Sequence, residues 1–577
     1  MRVRPSKLWL FLLCAIAFLF TAISGHAQAP AKEICARPAA GDKVSQPEDL
    51  RSDHAELRVT LKFETSTDAQ GRVRYCYTYK DGAQAPTLRV DPGDILILNL
   101  ENDIAPESPQ AAKPHASMRM QMDSDSCSQA KMTASSTNVH FHGLMIPPVC
   151  HQDDVLHTIV GPSAAPFEYR FQVPIDQPPG LYWYHPHLHG FTKAQVLGGA
   201  SGALIVEGIE RIDTQLAGLP ERVLVIRDQD LQNPDAQPTT PDSAPHTVVL
   251  RDAEGDILNT GTDGGKPAKD LSLNFVPIAF PDYKPAVIEM KPSQPELWRV
   301  LNASGITYID LQVLFDGAPQ PLGVVALDGV PLDDNGVGGH GILRKSHILV
   351  PPAGRVEFLL MGPPLGAHAT LMTRGVDTGA AGENDPSRPL ATIIASTGAP
   401  EPQSRLAANP APLSRQSPAA LRDVKPVRVR KLYFSEKPQD PADPKSPTVF
   451  FITVEGQTPA PFDPNSAAPN ITVQQGDVED WIIENRSQEL HAFHIHQIHF
   501  MLLDWNGVPI NEPFLRDTVN VAYWDGNSPV YPSVKLRMDF RDPRITGTFV
   551  YHCHLLEHED GGMMGTIRVI PRLASSP

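Results

Sequence analysis

Twelve of the chain's 21 histidines fall in four short windows, 140–142, 185–189, 491–499 and 552–558. They read HFH, HPHLH, HAFHIHQIH and HCHLLEH. Clustered imidazoles are ligands for transition metals, and a cysteine placed between two of them adds a soft thiolate. In an extended strand, residues i and i+2 share a face and i+1 points to the other side. His140 and His142 therefore converge, as do His185 and His187, and His494 and His496. His552 and His554 face together, while Cys553 turns to the opposite side. His491, three positions before His494, also turns away from the 494/496 pair.

The spacing sorts these residues into two sites. One collects Cys553, His491 and His558, with Met563 ten residues past the cysteine and Met564 as the competing candidate. Two imidazoles, a thiolate and a weak axial thioether describe a copper centre for one-electron transfer. The other collects eight imidazoles, His140, His142, His185, His187, His494, His496, His552 and His554, which suits several copper ions. Zinc has no redox chemistry and is usually satisfied by four ligands, so it leaves the HCH arrangement without a purpose.

The elements that must position these residues read as β-strands throughout. Short apolar or alternating runs such as ILILNL, ALIVEG, RVLVIR and FVYHCH are separated by Gly, Pro, Asp and Asn, the pattern of β-sandwiches. One strand recurs three times, as RVDPGDILILNLEN, EMKPSQPELWRVLNAS and TVQQGDVEDWIIENRS, each closing on an asparagine: Asn102, Asn302 and Asn485. Such self-similarity means three copies of one domain, expected at about 45–210, 211–396 and 425–573, with a Pro- and Ala-rich linker at 397–424. The first and third copies keep the histidines. The middle copy has Tyr308 and Asp310 where the others have His-X-His, and reads as a spacer holding no copper.

At 577 residues, with a formal charge of −17, the chain lacks the basic stripes that nucleic-acid binding needs. Arg2, Arg4 and Lys7 precede an apolar run and a small-residue stretch ending near Ala29, the layout of a cleaved secretory signal over 1–29. Export to the periplasm or medium follows, with no membrane association after cleavage. Cys35, Cys76, Cys127 and Cys150 are expected to form two disulfides in any of three pairings, and Cys553 is left over for metal.

HFHG, YWYHPHLH, HAFHIH and HCHLLEHEDGGMM resemble the four motifs of the laccase-type multicopper oxidases, complete in number and order, and the resemblance runs from about residue 50 to 572. It implies three consecutive cupredoxin-like Greek-key β-sandwich domains and four copper ions: one type 1, one type 2 and two type 3. It also implies that His140 and His494 hold the type 2 copper, and that His142, His185, His187, His496, His552 and His554 hold the type 3 pair. His491, Cys553, His558 and axial Met563 would hold the type 1 copper. Asp153, with Asp154 as alternative, and Glu559 match the family's proton-supplying acids. The implied reaction oxidises four donors by one electron each and reduces O2 to two waters. Phenols and aromatic amines come first as donors. The alternative donor is Cu(I), for which Met118, Met120 and Met122 are candidate soft ligands. A non-enzymatic copper-binding or scaffold protein is a remote alternative.

Overall fold

The computed structural model describes residues 33–572, apart from 106–126, 128–131, 163, 241–249, 252–256, 259–263, 333–341, 404, 412–418, 444–445, 467 and 513. The signal-peptide expectation and Met118, Met120 and Met122 lie outside the described residues. Among the described residues, no helix is long and apolar enough to cross a membrane.

The chain is nearly all β, and among the described residues its strands form three pairs of sheets plus a two-stranded ribbon. Alternation builds the first strands. In Glu56–Thr67, Leu57, Val59, Leu61 and Phe63 are buried while the residues between them are exposed. The strand that repeats in the sequence has the same neighbours each time. Ile95–Asn102 lies between Glu56–Thr67, parallel, and Phe167–Gln172, antiparallel. Pro295–Asn302 lies between Glu221–Gln229 and Arg355–Met361, and Val478–Asn485 between Arg428–Pro438 and Ser533–Asp539, in the same two senses.

The recurring asparagine has a common physical task. Asn102 Nδ2 donates to the carbonyls of Ser135 and Val160 at 2.8 and 2.9 Å, and its Oδ1 accepts from Ile104 N. Asn302 does the same with Thr307, Val350 and Ser304, and Asn485 with Glu489, Val521 and Ser487. Each amide thus satisfies buried backbone groups where the chain leaves one sheet for the other. Each sheet pair encloses its own apolar core: Leu57 to Val206, Leu224 to Ile393, and one built mainly from Leu432 to Val569.

The histidine-bearing strands lie in the second sheet of the first and third pairs. His140–His142 pairs with Gly180–His185 so that His140 stands opposite His185. His491–Ile495 pairs with Gly547–Cys553 so that His494 stands opposite His552. Gly180–His185 is buried along its whole length, because Tyr182 and Tyr184 enter the first core while Leu181 and Trp183 pack on Val223, Val225 and Leu301. The continuous apolar run in the sequence has that cause.

The structure selects one of the three disulfide pairings, Cys35–Cys76 and Cys127–Cys150, and leaves Cys553 free and buried. The first bridge closes a loop of 41 residues. Replacing Cys35 and Cys76 together by serine should lower the unfolding free energy by about 2–4 kcal/mol. Denaturant titration measures this, and an unchanged midpoint would contradict it.

Candidate metal centre

The strand pairings bring the histidine windows of the first and third sheet pairs face to face. His140 stacks on His496 and His142 on His494, both with ring centroids 3.9 Å apart. Ligand atoms group in threes: His140, His142 and His494; His142, His185 and His554; His187, His496 and His552; and His491, Cys553 and His558. All ten rings are buried. No such group among the described residues comes from 211–396.

The cysteine group is made by the first residue of His491–Ile495, the last of Gly547–Cys553 and the short helix Leu556–Asp560, beside the third core. His491 Nδ1 and His558 Nδ1 lie 3.5 and 3.7 Å from Cys553 Sγ and 3.1 Å from each other. Ser487 Oγ donates to Asn485 Oδ1 at 2.7 Å, so it accepts from His491 Nε2, also at 2.7 Å. That leaves the Nδ1 lone pair aimed at the sulfur. His558 Nε2 faces Glu489 Oε1 at 3.2 Å, which favours the same tautomer. Met563 is buried in the core that holds Cys553, and its carbonyl accepts from Cys553 N. Met564 packs instead with Val155 and Val550 on another side of the strand.

In the eight-histidine group one ring nitrogen is repeatedly tied and the other left to the cluster. Nδ1 donates to a carbonyl in His185 (Pro186, 2.8 Å), His494 (Asp517, 2.8 Å) and His552 (Cys553, 3.0 Å). His140 Nδ1 lies 3.0 Å from both oxygens of Asp153, and His142 Nε2 lies 3.3 Å from Asp517 Oδ1. The opposite nitrogens, Nε2 of His140, His185 and His494 and Nδ1 of His142, are buried without a hydrogen-bond partner. His552 Nε2 lies 3.3 Å from Nε2 of both His187 and His496. Bare nitrogens pointing at one another are costly in a low dielectric unless a cation lies between them. The site therefore fits metal ions, and its N-rich and N₂S donor sets fit copper.

The electrostatics agree. Burial, reinforced at most rings by neighbouring imidazoles, holds His140, His142, His187, His491, His494, His496 and His554 well below the usual histidine range. Burial brings His185 and His558 to about 3 and His552 to about 4. Burial raises Cys553, so the free thiol keeps its proton at neutral pH. Burial also holds Asp153 and Glu559 well above the carboxylate range. Glu559 Oε2 lies 3.3 Å from His552 Nδ1.

Asp153 rather than Asp154 reaches the site; Asp154 turns to His157. His189 packs edge-on against Phe462, and His499 Nε2 lies 3.2 Å from the Asp328 carbonyl. Sequence reasoning did not find Asp517, Gln497, Ser487 or Glu489. Gln497, which donates to Asp153 at 2.5 Å, lies inside a histidine window, so its position was a usable signal. Asp517 reaches the site because Thr518–Val521 pairs with His491–His494, a contact no ligand spacing encodes.

Residues 129–211 and 441–572 match multicopper oxidase family profiles. The multicopper oxidase Mco of Staphylococcus aureus is 34% identical over 122 residues, 20% of this chain and 24% of that protein, so the match spans about a quarter of that relative. A laccase of Haloferax volcanii is 26% identical over 76% of this chain and 68% of its own length. Among solved structures, a Campylobacter jejuni multicopper oxidase described as a metallo-oxidase superposes with a TM-score of 0.63 at 22% identity. That match covers 93% of this chain and 96% of the other.

Acidification should test the buried neutral rings. Between about pH 6.5 and 4, unfolded imidazoles take up protons that the folded rings refuse, so the ten rings remove stability as pH falls. Carboxyls raised by burial act with the opposite sign, among them Asp153, Glu559, Asp328, Asp385, Glu489 and Asp560, so a melting temperature sums both. The ring nitrogen chemical shifts of folded, metal-free protein isolate the histidines: they should stay those of neutral imidazole from about pH 7.5 to about pH 5, and shifts of protonated rings in that window would refute the assignment.

Proposed function

We propose that the chain is a multicopper oxidase that couples four one-electron oxidations of a laccase-type donor to the reduction of O2 to two waters. The observation that carries this reading is the strand His552-Cys553-His554, whose three side chains enter three different ligand groups. In this reading His491, Cys553, His558 and Met563 hold a type 1 copper. His140 and His494 hold a type 2 copper, and His142, His185 and His554 share a type 3 pair with His187, His496 and His552. The three domains at 45–210, 211–396 and 425–573 belong to the same proposal, supported by the threefold recurrence of strand order. Export through a cleaved signal over 1–29 belongs to it as well.

When bound, copper supplies one-electron redox chemistry, and four ions match the electron count of O2 reduction. The chain supplies the rest. Cys553 joins the two sites through its own peptide bonds, so no flexible contact intervenes between them. Carbonyls hold His185, His494 and His552, and acidic side chains hold His140 and His142, each in one orientation, which lowers the rearrangement any electron transfer demands. Asp153 can hold a proton 3.0 Å from His140 Nδ1, and Glu559 one 3.3 Å from His552 Nδ1. Both carboxyls are completely buried, so each keeps its proton until the site takes it.

Asp153→Asn and Glu559→Gln should each lower oxygen uptake about 100-fold while copper content is unchanged. Full activity in both variants would remove the acids from the mechanism.

Cu(I) remains a second reading as donor. Met132, where the methionine-bearing insertion rejoins the described chain, lines a small cavity with Met564 and His189 beside His187, and thioethers favour Cu(I). Oxygen uptake with a methoxyphenol and with Cu(I) as separate donors discriminates the two. Faster phenol turnover without added copper supports the laccase reading. Faster Cu(I) turnover, with phenol oxidised only when copper is added, supports the other. Uptake with neither sinks both.

A further inference from the structure

The described residues of 211–396 contribute no member to the ligand groups, yet one of their side chains reaches the histidine cluster through a single intermediary. Arg355 is fully buried and spends all five of its N–H groups. Its Nη1 and Nη2 donate to the two oxygens of Asp517 at 2.8 and 2.6 Å. The remaining donors go to the carbonyls of Ala353 at 3.1 Å, Asp328 at 2.9 Å and Leu181 at 3.2 Å. One guanidinium thus binds the strand that carries His185, its own sheet and the strand beside His491–Ile495. Gly143, directly after HFH, has φ +87°, and a Cβ there would lie 2.7 Å from both Arg355 Nη2 and Asp517 Oδ2.

Asp517 in turn touches two rings from opposite sides of the cluster. Its Oδ1 lies 3.3 Å from His142 Nε2, and its carbonyl accepts from His494 Nδ1. Its backbone is held as well, because the N–H groups of Asp517 and Thr518 both donate to Asp328 Oδ2. A carboxylate gripped on both oxygens by a planar fork has one orientation only.

We propose that Arg355 is a positioning residue of the copper cluster: by fixing Asp517 it sets the orientation of His142 from the first sheet pair and His494 from the third. The middle of the chain is then part of the metal site's support and not only a separator. The proposal rests on the copper reading of the cluster.

Three variants test it: Arg355→Lys, which keeps the charge but loses the fork; Asp517→Asn, which breaks the pair at nearly constant shape; and Arg299→Lys. Arg299 is an equally buried arginine paired with Glu221 and Glu357 that touches none of the ligand histidines. Readouts are melting temperature, copper retained against a chelator, the electron paramagnetic resonance of the type 2 copper, and the visible absorption of the Cys553 copper. Arg355→Lys and Asp517→Asn should hold cluster copper about 10–100-fold more weakly, with an altered type 2 signal and unchanged Cys553 absorption. Arg299→Lys should lower the melting temperature alone. Should Arg355→Lys fail to fold, Asp517→Asn decides. Wild-type retention and signal in the folded variants, or equal shifts in Arg299→Lys, overturn the proposal. Wild-type protein that takes up no cluster copper overturns both it and the copper reading.

Discussion

Everything in this molecule answers to one constraint: ten neutral imidazoles must be buried with their lone pairs aimed inward. A buried imidazole is stable only if its N–H has an acceptor and its bare nitrogen has something electron-poor to face. The first requirement explains the neighbours. Pro186, Cys553 and Asp517 offer backbone carbonyls, Asp153 offers a carboxyl oxygen, and Ser487 offers a hydroxyl whose own hydrogen is already committed to Asn485. A metal ion would meet the second. The apolar cores on either side are what make the rings' burial possible, and so what keeps them unprotonated at neutral pH.

That constraint also explains why the ligands are divided between sheets distant in sequence. A single β-sandwich spends its inner face on its own core, and its outer face would be wet. Setting two outer faces against each other gives a second interior, lined by residues that need not be apolar. Charged groups close its edges. Asp560 accepts from Gly190 N and Lys193 N, Lys193 pairs with Glu557, and Arg355 fills the side left open by the short loop at Gly143.

Much of this was legible in the sequence, for identifiable reasons. The face assignments of His140/His142, Cys553 and His491 follow from the two-residue period of a strand, and the strands are regular at these positions. The recurring asparagines were visible as a pattern, although their task of satisfying backbone groups between sheets was not. Met563 and Met564 could not be separated by counting, because both follow a short helix, Leu556–Asp560, whose end decides which one turns inward. Arg355 and Asp517 were invisible. Their partnership spans 162 positions and depends on how whole sheets dock, which no local period records. The choice between Asp153 and Asp154 was equally beyond spacing, since it rests on which carboxylate faces His140 and which caps His157.

The Cys553 strand also has a temporal meaning. Translation makes His140 and His142 early, but His552, Cys553, His554 and His558, which complete three of the ligand groups, come about 410 positions later. Until Gly547–Cys553 is made and has paired with His491–Ile495, those three groups are half-built sets of imidazoles with too few donors for a metal ion. Whatever metal the groups shared between sandwiches take is therefore tied to the docking of the third sandwich on the first.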